Sequence, residues 1–273
     1  FYKKGSNQIV VHDDCQIQHP LINRIAKKAL SIINRYDLTV YNEKTHQGLL
    51  RHLVIRVGIC TNQAVLIIVT SKNDFPGKKK IAKDIMKSVP ELVGVLNNIN
   101  SNKTNVVMGK NDYLLYGQDY YLDYIGKTRF AVSPHSFFQI NTLQTEKLYK
   151  TIVNFADLAG DETIVDAYCG TGSIALYLAS RMNNKGKVVG IEEIEDAVDD
   201  AHENMEINNI NNCEFITGVV EEQLPIYIEN NNIPDLMIFD PPRKGLDKNT
   251  IDVILSILPE KIVYVSCNPA TLA

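Results

Sequence analysis

Apolar residues recur along this chain with two different periods. From Leu21 to Ile33 they return every three or four positions, the spacing of a helix with one buried face. His52–Gly58 and Ala64–Thr70 instead hold compact runs, LVIRV and AVLIIV, which read as strands joined through Asn62-Gln63. A short helix over Ile81–Val89 stops at Pro90. Val93–Ile99, Asn105–Gly109, Asp112–Tyr116 and Tyr120–Ile125 continue as strand-like pieces cut by Asn, Gly and Asp. Residues 1–130 therefore read as an α+β domain rich in antiparallel strands.

From Ala131 the texture changes. A helix over Thr142–Leu158 precedes a regular alternation: strand Thr163–Tyr168, helix Gly172–Met182, strand Lys187–Glu192, helix Ile194–Asn208. Strands Cys213–Gly218 and Asp235–Asp240 come next, then helix Ile251–Leu258 and strand Lys261–Ser266. Strands alternating with helices predict a Rossmann-like parallel α/β sheet covered on both faces, over residues 131–273. Ligands of such sheets sit at the carboxyl ends of the strands, at a topological switch point.

Composition narrows the picture. The chain has 273 residues, 45% of them hydrophobic, enough for two domains. No apolar run reaches the roughly 20 residues that span a bilayer. The first residue is Phe1, which reads as a fragment truncated at both ends. The five cysteines are scattered and form no CxxC pair, which fits a reducing, cytoplasmic compartment rather than a disulfide framework. The formal net charge of −4 is a poor match for a protein that holds nucleic acid by bulk charge alone. Lys78, Lys79 and Lys80 form a short basic run, read as a solvated loop beside Pro76-Gly77.

Every candidate for chemistry falls at the end of a predicted strand or just ahead of the first. DAYCGTGSIA (Asp166 to Ala175) places Gly170 and Gly172 where a tight turn opens a helix, a pattern that serves NAD, FAD or S-adenosylmethionine. Glu192, some 20 residues on, can accept both hydroxyls of a ribose. IFDPPRKGL ends a strand on Asp240 and stiffens the loop with Pro241 and Pro242 before Arg243. Cys267 lies just past the last strand, where burial in a sheet is ending; elsewhere such a cysteine packs as a small hydrophobe. In SPHSFFQIN (Ser133 to Asn141), adjacent Phe137 and Phe138 cannot both face one side, so one packs while the other is available to stack on a base. Gln139 lies within reach of a cofactor.

Taken together, SPHSFFQIN, DAYCGTGSIALYLA, GIE, FDPPRKGL and VSCNPATLA resemble the RNA uracil-5-methyltransferase family, which makes 5-methyluridine in tRNA or large-subunit rRNA. The resemblance extends to FYKKGSNQIV and TNVVMGKNDYLLYG. It implies a class I S-adenosylmethionine-dependent methyltransferase fold for residues 131–273 behind an RNA-contacting central domain. It implies that Gln139, Tyr168, Gly170, Glu192 and Asp240 bind S-adenosylmethionine, that Cys267 is the nucleophile, and that Phe137 and Arg243 meet the RNA. In the implied reaction a cysteine thiolate adds to C6 of a flipped uracil, and C5 becomes the methyl acceptor. The opening segment and Cys15 resemble the 23S rRNA branch; the tRNA T-loop uridine is the alternative substrate. The state expected is a monomer with no membrane association.

Two departures from the family pattern matter. Its general base is a glutamate downstream of the SCNP cysteine, a motif without a counterpart before Ala273. Many members carry a small β-barrel RNA-binding domain ahead of the central one, for which this sequence shows no counterpart; some also hold a four-iron cluster, and Cys15, in DDCQIQHP, resembles the last of its ligands, the other three of which would have to precede Phe1. Packing is the other reading of Cys15, and no metal is expected within this chain. Other classes stay open from the residues alone. A nicotinamide oxidoreductase leaves DPPR and SCNP unexplained, an amino-group methyltransferase needs no cysteine, and a catalytically silent RNA-binding module needs neither.

Overall fold

The computed structural model describes residues 3–6, 10, 14–183, 185–230, 233–268 and 270. It divides into two compact units, Phe1–Tyr121 and Leu122–Ala273.

The first unit opens with α1 (Pro20–Ile33), capped by the His19 side chain, which accepts from the Leu21 amide. A four-stranded sheet comes next, with β1 (Leu50–Val57), β2 (Ala64–Thr70), β3 (Leu92–Ile99) and β4 (Asn111–Gly117) side by side in that order. The β1–β2 and β3–β4 pairs are antiparallel, while β2 and β3 run parallel because α2 (Lys78–Ser88) carries the chain across between them. Ile25, Ala29 and Ile32 of α1 pack with Ile81, Ala82 and Ile85 of α2 over Leu66, Ile68 and Val95 of the sheet. The Lys78–Lys80 run is thus the first turn of a helix, not a loop.

Asn105–Gly109 forms no strand, although its VVMG run is apolar. Side chains from the sheet take the hydrogen-bonding groups that a strand would offer. Asn100 Nδ2 donates to the Val106 carbonyl (2.7 Å), and Asn98 donates to the Gly109 carbonyl (2.9 Å) and accepts from its amide (2.6 Å). The guanidinium of Arg51, buried completely, donates to the carbonyls of Asn100, Asn102 and Thr104.

The second unit begins within a hairpin, β5 (Tyr121–Ile125) and β6 (Thr128–Val132), so the division falls some nine residues ahead of the change in texture at Ala131. Strand β6 belongs to the second unit because a helix of that unit pairs with its edge. Asn204 of α5 (Glu195–Ile207) accepts from the Ala131 amide (2.7 Å) and donates to its carbonyl (3.3 Å). Asn208, just past that helix, does the same for Arg129 (2.9 and 2.6 Å). Helix residues four apart climb about 6 Å and strand residues two apart about 6.8 Å, so two asparagines can read one strand edge as a neighbouring strand would.

The remaining elements make the doubly covered sheet. They are α3 (Thr142–Ala156), β7 (Thr163–Ala167), α4 (Ser173–Ala179), β8 (Lys187–Glu192), β9 (Cys213–Thr217), α6 (Val220–Asn230), β10 (Leu236–Phe239), α7 (Lys248–Ile257) and β11 (Lys261–Tyr264). All five strands are parallel, in the order β11-β10-β7-β8-β9. Val165, Ala167, Val189, Ile191, Met237 and Phe239 alternate onto one face, under Val220 and Leu224 of α6 with Val253 and Ile254 of α7. Burial on both faces explains why the central strands β7, β8 and β10 are mostly apolar. The chain moves outward from β7 in one direction, returns, and moves outward in the other. The switch point therefore lies between the carboxyl ends of β7 and β10.

Replacing Asn204 by Ala should strand the buried Ala131 amide and destabilise the chain by about 2 kcal/mol, since an unpaired buried donor loses water without gaining a partner. Urea unfolding of Asn204→Ala beside Asn208→Ala, whose side chain is only half-buried, checks this: the first should be the larger loss.

Candidate active site

The turn after β7 is built by backbone freedom. Tyr168 has φ of 64°, Gly170 55° and Gly172 71°, the left-handed region three times in five residues. At Gly172 a Cβ would sit 2.6 Å from the Phe215 ring, so only glycine allows α4 to approach β9 this closely. At Gly170 a Cβ would meet nothing within 4 Å, so the loop has open space in front of it.

Carboxylates frame that space. Glu192, at the end of β8, is 9% exposed and turns back on the loop, accepting from the Gly170 amide (3.0 Å) and the Ile194 amide (3.0 Å). Asp166, in β7, has no exposure at all. Its Oδ2 accepts from the Ala175 amide at the first turn of α4 (3.0 Å), and its Oδ1 has no partner among the described residues. Burial, with the Asp240 carboxylate adding to it, holds the Asp166 carboxyl well above the usual carboxylate range. Asp240, directly after β10, is raised by burial as well and has no hydrogen-bond partner among the described residues. The switch point thus gathers acceptors with free capacity around an open glycine loop. Such a set suits a ligand that carries a cation and vicinal hydroxyls.

The Ser133–Asn141 segment lies against the same loop, with the Thr171 hydroxyl donating to the Phe137 carbonyl (3.5 Å). Phe138 is buried and tilts against Phe130, their ring centroids 5.4 Å apart, whereas Phe137 is 72% exposed. One phenylalanine packs and its neighbour stands free, as the adjacency demands. Ser133 and Ser136 both bond to Asp200 of α5, which anchors the start of the segment.

β11 extends past its last residue through a bond from the Val265 amide to the Phe239 carbonyl (2.8 Å). Beyond it the chain turns on Ser266, whose Oγ donates to the Asn268 carbonyl (2.9 Å) and accepts from the Asn268 amide (3.1 Å). Cys267 is exposed on this turn. Since Phe239 pairs with Tyr264, Asp240 and Cys267 leave the sheet from adjacent strands at the same end. Cys169 and Cys213 differ: both are held up by burial, with Asp166 a further cause, Cys213 to about 12.

The sequence model of the family described as tRNA (Uracil-5-)-methyltransferase matches residues 79–273. An uncharacterized RNA methyltransferase of Oceanobacillus iheyensis is 42% identical over the whole chain. The chain belongs to the tRNA (uracil-5-)-methyltransferase family. A second family relative, an uncharacterized RNA methyltransferase of Clostridium tetani, is 41% identical, again over the whole chain. The chain spans 59% of the length of both. The tRNA (uracil-54, C5)-methyltransferase of Pyrococcus abyssi, solved with S-adenosyl-L-homocysteine, superimposes with a TM-score of 0.82 at 26% identity, over 99% of this chain and 64% of that one. The class I methyltransferase fold inferred from the sequence is thereby shown.

For this family member the structure brings Gly170, Glu192, Phe137 and the glycine loop together, with Asp240 across the switch point. The hydroxyl of Tyr168 turns the other way, donating to Glu221 of α6 (2.8 Å) and lying 3.3 Å from that of Thr250 of α7. Gln139 is half-buried beside Phe138, and Arg243 is exposed on the Pro-Pro loop. Pro269 and 271–273, the end of the VSCNPATLA stretch, lie outside the described residues. Cys15 is buried, its amide donating to the Asn23 side chain (3.4 Å), and among the described residues no three His, Cys, Asp or Glu side chains gather to hold a metal ion. No helix among them is long and apolar enough to cross a membrane. Reading the sequence missed Asp166 as a site residue. The available signal was an acid inside an otherwise apolar strand, TIVDA.

Two measurements check this arrangement. Iodoacetamide on the native chain should modify the exposed Cys267 and Cys60 and spare Cys15, Cys169 and Cys213 until the chain unfolds; peptide mass spectrometry reads the pattern, and native labelling of Cys169 at the Cys267 rate would contradict it. The raised Asp166 carboxyl means that the folded chain holds a proton longer than the unfolded one. Its contribution to stability is full below about pH 4 and is lost as pH rises toward the folded value. Asp166→Asn removes that titration, so urea unfolding from pH 4 to pH 8 should show the variant gaining on the parent as pH rises.

Proposed function

We propose that this chain is the catalytic part of an S-adenosylmethionine-dependent RNA uracil-5-methyltransferase. The carrying observation is the exposed Cys267 on the turn after β11, beside the strand that ends in Asp240, in a chain of this family.

The residues present suit the cofactor. The unpartnered Asp166 Oδ1 and the Asp240 carboxylate would face its cationic portion, Glu192 the ribose hydroxyls, and the open space at Gly170 its backbone approach. Gln139 and the ring of Tyr168 complete the pocket. S-adenosylmethionine supplies an electrophilic methyl group. The protein's part is to make C5 of uracil nucleophilic. Cys267 adds as thiolate to C6, the electron pair of the C5–C6 double bond moves onto C5 and the C4 carbonyl oxygen, and C5 then takes the methyl. Loss of the C5 proton to a base restores the double bond and expels Cys267. The exposed ring of Phe137 offers a stacking face for the flipped base, and Arg243 a cation for its phosphate. The first unit is the RNA-contacting central domain.

Two RNA substrates compete. The opening segment and Cys15 support 23S rRNA; the likeness to the Pyrococcus abyssi enzyme, which is named for tRNA uracil-54, supports tRNA. Covalent trapping tests both. Mixed with S-adenosylmethionine and 5-fluorouridine-substituted RNA, the chain should form a denaturation-resistant adduct, because fluorine at C5 does not leave as a proton does. Cys267→Ala should abolish it, and whichever RNA is trapped names the substrate. An adduct that survives Cys267→Ala would remove Cys267 as nucleophile.

A further inference from the structure

The basic run Lys78–Lys80 belongs to a larger surface. Helices α1 and α2 pack side by side over one face of the first sheet. Together they carry eight Lys and Arg residues and a single carboxylate, Asp84, a surplus of seven positive charges. The whole chain has a formal net charge of −4, so all the rest carries a surplus of eleven negative charges. Charge in this protein is sorted, and the surplus of positive charge is concentrated on one helical layer.

Their placement on α2 is regular. Lys79, Lys83 and Lys87 stand four residues apart, one above the other on successive turns at about 6 Å spacing, all exposed. None has a carboxylate partner among the described residues. Asp84 is engaged elsewhere, accepting from the Tyr36 hydroxyl (3.0 Å). The stripe also works against its own helix. Like charges at i,i+4 repel, and lysines in the first turn oppose the helix dipole, with no acid and no side-chain cap to offset them. A polyanion laid along the stripe would relieve all of these at once.

We infer that the exposed face of α1 and α2 holds the phosphate backbone of the RNA substrate, with the Lys79–Lys83–Lys87 stripe of α2 as its principal contact. This rests on the RNA-methylating reading and says where that RNA is gripped. RNA is favoured over an acidic membrane because Ile81, Ala82 and Ile85 of α2 are buried in the core, leaving that helix no apolar face to insert between lipids. The negative surplus lies in the second unit, which holds 23 of the 32 Asp and Glu residues, so a polyanion is drawn to the first unit, where the two helices carry nearly all of the positive surplus.

The test is the salt dependence of binding, using the whole chain and an unmodified tRNA transcript from 50 to 300 mM KCl. Each phosphate contact contributes about 0.7 to 0.9 to the slope of log K against log salt. The variant Lys79→Gln/Lys83→Gln/Lys87→Gln should therefore lower that slope by about two to three and weaken binding more than tenfold at 150 mM. A control with the same charge change, Lys127→Gln/Lys147→Gln/Lys185→Gln, should lower the slope by less than one. Lys79→Arg/Lys83→Arg/Lys87→Arg should keep the parent slope, and Lys83→Gln alone should remove about one unit, which guards against a misfolded triple variant. Equal slopes for the helix variant and the control would overturn the proposal. So would binding to phosphatidylserine vesicles that the helix variant loses while its RNA binding stays unchanged. The 5-fluorouridine adduct at saturating RNA separates the two readings: a parent that traps RNA with no slope change in the variant sinks only the surface, whereas a parent that traps nothing sinks the methyltransferase.

Discussion

A single hydrogen bond, from the Ala175 amide to the Asp166 carboxylate, ties the central strand β7 to the first turn of the helix after it. It closes a loop whose backbone turns left-handed at Tyr168, Gly170 and Gly172, so the loop cannot relax without breaking it. The same carboxylate has a second oxygen without a partner among the described residues. An ionised carboxylate without water is expensive, and burial accordingly drives Asp166 toward its protonated form. A cation arriving at the switch point would reverse that balance, restoring charge to Asp166 at the moment the ligand is bound. The strand order makes this arrangement available. Only where β10 and β8 flank β7 do three strand ends bring Asp240, Asp166 and Glu192 round one loop.

Much of this could be read from the sequence. The central strands β10, β7 and β8 are mostly apolar because both faces are covered, with β8 ending on Glu192 and β10 running into Asp240 at the edge of the sheet, while the edge strands β9 and β11 are more exposed. What escaped has physical reasons. Helix α6 contains Pro225, which lacks a donor and reads as a stop, yet packing of Val220, Leu224 and Tyr227 on the sheet holds the helix through it. Strand β6 is five residues long, and its outer partners are Asn204 of α5 and Asn208 just past it, which no local pattern announces. The loop at Asn105–Gly109 looks like a strand by composition but is claimed by Asn98, Asn100 and Arg51 from outside its own segment. In the site, Glu192 and the glycines were legible by spacing. The direction of the Tyr168 hydroxyl was not, because it depends on Glu221 and Thr250, which lie 53 and 82 residues away.

The two units divide their chemistry by charge as well as by fold. The second unit lines its sheet edge with carboxylates, which suits a small cationic ligand and disfavours a polyanion. The first unit carries its surplus of positive charge on a helical layer and pins the loop between β3 and β4 with neutral amides and a buried guanidinium. A phosphate at the glycine loop would meet Asp166, Asp240 and Glu192, so that end of the second unit's sheet does not suit a polyanion. The overall acidity of the chain conceals this sorting; net charge averages over two surfaces of opposite sign.

The same carboxylates explain which cysteine is suited to act. Cys169 lies in the glycine loop itself, nearest the ligand by sequence, and would be the obvious nucleophile on position alone. Burial holds its thiol far up, and the charges of Asp166 and Glu192 push it higher. Cys213 is raised by burial too, with Asp166 again adding to it. Burial, reinforced by the neighbouring carboxylates, disfavours a thiolate at either position. In the proposed reaction the nucleophile must therefore stand outside the acidic ring yet at the same end of the sheet. β11 is the edge strand beside β10, and the turn after it exposes Cys267 to solvent. In the proposed reaction cofactor recognition and cysteine chemistry are compatible at one end of the sheet because the strand order separates them by one strand.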